Sequence, residues 1–94
     1  MPPEHLDQLN LWFLYSLRFQ SWKRGDNADL DALVREGIRV FDALGPGFYR
    51  AWLETSVEIE AAIRWSRLPL GLAASFRRRC RQARVIISPG STLL

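Results

Sequence analysis

The stretch DLDALVREGIRVFDA, residues 29–43, decides the fold class, because it has the pattern of a helix with one apolar side. Its large apolar residues recur every three or four positions, and charged residues occupy the opposite side. Asn27 or Asp29 can cap the first turn, and the acids Asp29 and Asp31 favour the positive end of the helix dipole. Gly37 lies within the apolar arc, where a glycine costs about 1 kcal/mol relative to alanine unless a neighbouring helix packs closely there. We therefore predict an outer helix of a bundle, crossed at Gly37 by an aromatic residue of the preceding helix.

Turn-forming residues divide the rest of the chain into segments of helical length. They are Gly25-Asp26-Asn27, Gly45-Pro46-Gly47, Pro69 with Gly71, and Ser88-Pro89-Gly90. The intervals predict helices over residues 4–23, 29–43, 48–68 and 70–84, with a tail at 88–94. A chain of 94 residues forms one core, so we expect a single helical domain over residues 1–94. The predicted fold is all-α, a small single-domain bundle of three to four antiparallel helices, with 48–68 as its spine and 4–23 packed against that spine.

The first segment is apolar on nearly every side of a helical wheel. Leu6, Leu9, Phe13 and Leu17 fall on one side, and Trp12, Tyr15, Phe19 and Trp22 on another. A helix of this kind is either central to its bundle or covered by a second chain. The pattern therefore predicts a homodimer that associates through the first helix.

Charge is divided unequally along the chain, since residues 1–60 hold all ten acids and residues 61–94 hold seven arginines and no acid. On a helix, Arg77, Arg81 and Arg84 form one stripe with Arg78 beside it, whereas Arg79 falls next to the apolar arc. Such a stripe attracts anions: an acidic patch of another protein or of a second copy, a nucleic acid, or an anionic membrane surface. A solvated basic face is the alternative. We favour the acidic protein, and nucleic acid is the second choice because no nucleic-acid-binding motif accompanies the arginines.

Tryptophan supplies the candidate anchors for such a partner. Buried aromatic residues and arginines dominate the energetics of protein interfaces, so Trp12, Trp22 and Trp65 are the candidate anchors. Trp65 shares its side of the predicted helix with glutamates. It either packs beneath the fourth helix or contacts a partner. Within the predicted helix 48–68, Arg50 with Glu54 and Glu60 with Arg64 have the spacing of stabilising ion pairs.

Few residues are suited to catalysis or to binding a metal. A structural zinc site needs four Cys or His ligands, and the chain has one histidine, His5, and one cysteine, Cys80. Cys80 lies on the apolar arc of its segment, so we expect a small buried residue. Glu54 and Glu58 are one helical turn apart, but no third ligand or partner accompanies them, so we expect solvated surface. We predict no catalytic residue, no metal and no cofactor.

A single cysteine suits a reducing compartment, so we expect a cytoplasmic protein. The longest apolar run, residues 11–15, is far shorter than the roughly 20 residues that span a bilayer, so no transmembrane segment is expected. The sequence thus favours a small non-catalytic adaptor, inhibitor or regulator that binds another protein through its helix faces. The alternative is a nucleic-acid-binding accessory or regulatory factor that uses the C-terminal arginines.

Overall fold

The computed structural model describes residues 3–87, and their side chains from Leu6 onward. Within that range the chain forms four α-helices and no β-strand: α1 (Pro3–Lys23), α2 (Leu30–Ala43), α3 (Tyr49–Ile63) and α4 (Leu70–Ile87). The prediction of a small all-α bundle is confirmed. The predicted tail at 88–94 and the side chain of His5 lie outside the described residues.

α2 is the central helix of the bundle, because it packs against each of the other three. Its buried residues are Leu33, Val34, Gly37, Val40 and Phe41. The prediction of an outer helix is therefore wrong, because the apolar arc of α2 is wide enough to pack against three neighbouring helices. α1 packs chiefly on α2, so the third helix is not its main support, and it meets α3 through the ion pair of 3.2 Å between Lys23 Nζ and Glu58 Oε1.

Gly37 is the point at which three helices converge on α2. A Cβ atom at this position would lie 2.8 Å from the Tyr15 hydroxyl oxygen of α1 and 3.2 Å from Cε1 of Phe76 of α4. The predicted crossing of an aromatic residue of the first helix over Gly37 is confirmed. From α3, Trp52 Nε1 donates a hydrogen bond of 3.0 Å to the Gly37 carbonyl oxygen.

The core is built around the buried indole of Trp52. Its ring centroid lies 4.7 Å from that of Phe41 and 5.3 Å from that of Phe76, so α2, α3 and α4 share one aromatic cluster. Cys80 is fully buried beside this cluster, as its place on the apolar arc predicted. Burial raises the pKa of the Cys80 thiol to about 12, so it stays protonated and unreactive at neutral pH.

The turn between α1 and α2 is held by backbone geometry and by side-chain caps. The amide of Gly25, which has a φ of +82°, donates to the Trp22 carbonyl, and the amide of Asp26 donates to the Ser21 carbonyl. This pair of bonds is the Schellman motif, in which glycine adopts the left-handed backbone without cost. Asp29 is the cap of α2, because its Oδ1 accepts from the Ala32 amide at 2.9 Å.

The predicted boundaries hold for the first two helices and fail for the other two. α3 ends at Ile63 instead of residue 68, so at 15 residues it is shorter than α1, which has 21. The Ser66 hydroxyl and amide both donate to the Ile63 carbonyl, which closes the helix. Leu68 precedes Pro69, and a proline disfavours helical backbone at the residue before it. α4 continues to Ile87, three residues beyond the predicted end.

Candidate interaction surfaces

The arginines of α4 separate into two groups with different roles. Arg78 and Arg81 are exposed, Arg77 is partly buried against α3, and Arg84 Nη1 lies 3.5 Å from Glu60 Oε1 of α3. The four residues of the predicted stripe thus face solvent or α3. Arg79 alone turns toward α2.

Arg79 forms the strongest interhelical ion pair among the described residues. Its Nε and Nη2 donate to the two carboxylate oxygens of Asp42 at 2.8 and 2.9 Å, and its Nη1 donates to the Ser75 hydroxyl at 2.6 Å. Hydrogen bonding to this guanidinium lowers the pKa of Asp42 below its usual range. Arg79 therefore clamps α4 to α2 and is not available to a partner.

A groove runs between α3 and α4, and we call it the α3–α4 groove. Its two sections, of about 370 and 270 Å³, share Val57. The first is lined by Val57, Glu60, Ala61, Arg64 and Arg77, and the second by Arg50, Leu53, Glu54, Val57, Arg84 and Ile87. Apolar side chains, four arginines and two glutamates thus line the two sections, which leaves an excess of positive charge. An extended segment with acidic and apolar residues has the chemistry to fit it.

Sequence reasoning missed Arg50 and Arg64 as members of this surface. It paired them with Glu54 and Glu60 inside α3, but neither ion pair forms within the described part of the chain. Glu60 instead pairs with Arg84 across the groove. Arg50 and Arg64 lie on the same side of the wheel as Val57, which is the signal that could have identified them.

Trp65 is the most exposed of the three candidate anchors, with 90% of its surface open to solvent. The alternative that it packs beneath α4 is wrong, because α3 ends at Ile63 and Trp65 follows in the turn. It comes directly after Arg64, a residue of the α3–α4 groove. An exposed indole one residue after a member of this groove is the feature most typical of a binding surface in this molecule.

Trp12 and Trp22 lie at the edge of the core. The Trp12 ring centroid is 5.7 Å from that of Tyr15 and 6.4 Å from that of Phe48, and the Trp22 centroid is 5.9 Å from that of Phe19. Both side chains are half-buried. Their packing on the core leaves much less of each indole exposed than at Trp65.

α1 carries an exposed apolar surface on the side opposite to Tyr15 and Phe19, and we call it the outer face of α1. Its five large side chains are between 46% and 58% exposed: Leu6, Leu9, Phe13, Leu14 and Leu17. α1 is therefore apolar on two sides, of which one enters the core and the other faces solvent. The helical wheel had indicated this face without Leu14.

A second groove, of about 540 Å³, lies between α1, α2 and α4 and was not anticipated from the sequence. It is lined by Arg18, Ala32, Arg35, Ile38, Arg39, Leu72 and Ser75. Arg35 pairs with Asp31 and Arg39 pairs with Glu36 on α2 itself. Two of its three guanidinium groups therefore already have carboxylate partners.

Within the described residues, no three His, Cys, Asp or Glu side chains come together where they could hold a metal ion. None of the helices in residues 3–87 has the length and apolar character that crossing a membrane requires. No protein-family model, curated protein or solved structure matches this chain.

Proposed function

We propose that this protein is a small non-catalytic adaptor, inhibitor or regulator that binds an acidic segment of another protein in the α3–α4 groove. The observation that carries the proposal is the 90% exposure of Trp65, which directly follows Arg64 in the sequence, while Arg64 and Arg77 line the groove. No cofactor takes part in the proposed function. The proposed location is the cytoplasm, because a single cysteine suits a reducing compartment.

The proposed recognition combines an aromatic anchor with charge. Trp65 supplies a large apolar surface that loses contact with water when a partner covers it, which makes tryptophan a frequent hot spot. Arg64 and Arg77 have no ion-pair partner among the described side chains, so a carboxylate of the partner can pair with them without breaking a bond inside the molecule. Val57 and Ala61, between these arginines, give the partner's apolar residues a surface to cover.

An affinity capture from a lysate of the native source, followed by mass spectrometry, tests the proposal. The immobilised full chain is used with and without nuclease, beside a variant that carries Arg77→Ala, Arg78→Ala and Arg81→Ala. We expect a specific protein that survives nuclease and is reduced by the variant. Recovery of only nuclease-sensitive material would contradict the proposal.

The second candidate function is a nucleic-acid-binding accessory or regulatory role. The exposure of Arg78 and Arg81, neither of which has an ion-pair partner among the described side chains, favours it. If the four arginines of the stripe contact four phosphates of duplex DNA, affinity falls with salt with a logarithmic slope of roughly −3 to −4. Fluorescence polarisation of a labelled duplex over a salt series measures that slope, and a slope near zero would exclude this role.

We further propose that two copies associate through the outer face of α1. At about half exposure, five large side chains present roughly 400–500 Å² of apolar surface, which is comparable to the largest apolar patch of a typical monomer, and such patches are often functional. Two-fold association of one face with itself is the commonest arrangement of protein oligomers. Sedimentation equilibrium at high micromolar concentration tests this, and a strictly monomeric mass would contradict it.

A further inference from the structure

We infer that two copies of α1 pair antiparallel about a two-fold axis near Phe13, so that Asp7 of each copy forms an ion pair with Arg18 of the other. The inference rests on the proposed self-association and adds its geometry. It depends on the spacing of two charged residues relative to the outer face of α1.

Asp7 and Arg18 border the outer face on the same edge, next to Leu14, and Arg18 also lines the groove between α1, α2 and α4. They are eleven residues apart, which is about three turns of helix and about 16 Å along the axis. Both side chains are exposed, and neither takes part in an ion pair among the side chains that the structure describes. α1 therefore displays an unpaired acid near its beginning and an unpaired base near its end, beside one apolar strip.

The spacing of these charges distinguishes the two possible directions of pairing. The midpoint between Asp7 and Arg18 falls next to Phe13, near the middle of the outer face. In an antiparallel pair centred there, the same edges of the two helices meet, and each Asp7 lies opposite Arg18 of the other copy. A parallel pair places each Asp7 level with the same residue of the other copy, about 16 Å along the axis from the opposite charge. Opposite charges meet only in the antiparallel arrangement.

The same register aligns the apolar residues. With Phe13 close to the axis, the two Phe13 rings meet at the centre, and Leu9 of one copy lies opposite Leu17 of the other. The pairing is thus apolar at its centre and charged at one edge, as in the stable interfaces of helical proteins.

The area of the outer face fits a second copy of this chain. Its roughly 400–500 Å² is half or slightly more of the about 800 Å² that each partner contributes to a standard interface. Asn10 and Gln20 are exposed and fall between these apolar residues on the helix, so they would need hydrogen-bond partners from the other copy. An amphipathic helix that lies on a membrane instead carries several basic residues along its polar edge, whereas this edge carries the acid Asp7.

A charge-exchange experiment on the full chain tests the inference by sedimentation equilibrium at low ionic strength. Asp7→Arg alone and Arg18→Asp alone each place like charges opposite one another twice, and we expect the dimer to weaken about tenfold. The double variant restores both pairs with reversed signs, and its dimer should return to within about threefold of the wild type. Arg67→Asp, which makes the same charge change on an exposed residue outside α1, serves as the control and should leave the dimer unchanged.

Each result decides a different part of the account. A dimeric wild type whose double variant stays as weak as the single variants would overturn the antiparallel arrangement and leave self-association standing. A wild type that is strictly monomeric at high micromolar concentration would overturn both, and the outer face would then belong to another protein or to a lipid surface.

Discussion

Trp52 and Trp65 lie thirteen residues apart, yet they occupy opposite environments. Trp52 is fully buried, and its indole nitrogen donates to the Gly37 carbonyl oxygen. Trp65 is 90% exposed, and its ring belongs to no aromatic contact among the described residues. The difference follows from where α3 ends, since Trp52 lies on its core-facing stripe and Trp65 follows the last helical turn. One residue type therefore holds the fold together at one position and is available to a partner at the other.

Replacing the buried tryptophan should have the largest effect. Trp52→Ala removes the centre of the aromatic cluster, and such changes cost about 3–5 kcal/mol in the free energy of unfolding. It also removes the hydrogen bond that the indole donates to the Gly37 carbonyl oxygen. Because domains of this size are stabilised by about 5–15 kcal/mol, the variant should be close to unfolding at room temperature. Urea denaturation followed by circular dichroism measures the loss, and a loss below about 1 kcal/mol would contradict the central role of Trp52.

Gly37→Ala should destabilise the protein by about 1–3 kcal/mol, because the added methyl group enters a filled space. Its Cβ would lie 2.8 Å from the Tyr15 hydroxyl oxygen and 3.2 Å from the Phe76 ring, so α1 or α4 must move away. Gly47→Ala is the matched control, since none of the described residues lies within 4 Å of a Cβ there. If thermal denaturation gave both variants the same midpoint, the close approach of α1 to α2 at Gly37 would be wrong.

Tyr15→Phe should stabilise the protein by about 1 kcal/mol, because the buried Tyr15 hydroxyl has no hydrogen-bond partner among the described residues. Burial raises the pKa of Tyr15 to about 12, so the folded state keeps a proton that the unfolded chain releases near pH 10. The free energy of unfolding that this raised pKa contributes is therefore fully present below about pH 10, and it is lost as the pH rises toward 12. Urea denaturation over an alkaline pH series should show a smaller loss of unfolding free energy in Tyr15→Phe than in the wild type. Part of the loss should remain, because Cys80 titrates in the same direction.

The helices themselves could be predicted from the sequence, because turn residues and apolar periodicity are local signals. The end of α3 could not, since it depends on the Ser66 side chain closing the helix at Ile63. The central position of α2 could not be predicted either, because a helical wheel shows which side of a helix is apolar but not how many neighbouring helices cover that side. The basic groove was missed for a related reason. Glu60 pairs with Arg84 of another helix, and sequence spacing indicates only partners within the same helix.

Trp65→Ala should have the smallest effect on folding. An exposed side chain without core contacts contributes little, so we expect the free energy of unfolding to change by no more than about 0.5 kcal/mol. Urea denaturation beside Trp52→Ala makes the comparison directly. A loss of 2 kcal/mol or more, on the order expected of core residues, would show that Trp65 supports the fold.

The central claim is that Trp65 binds a partner, and the most direct test compares two exposed residues. Nuclease-treated lysate of the native source is passed over immobilised wild type, Trp65→Ala and Val85→Ala, and the bound proteins are quantified by mass spectrometry. Val85 is 67% exposed on α4 and lines none of the grooves described above, so it is the control. We expect at least one protein that binds to the wild type and to Val85→Ala but not to Trp65→Ala. Equal recovery by all three would contradict it.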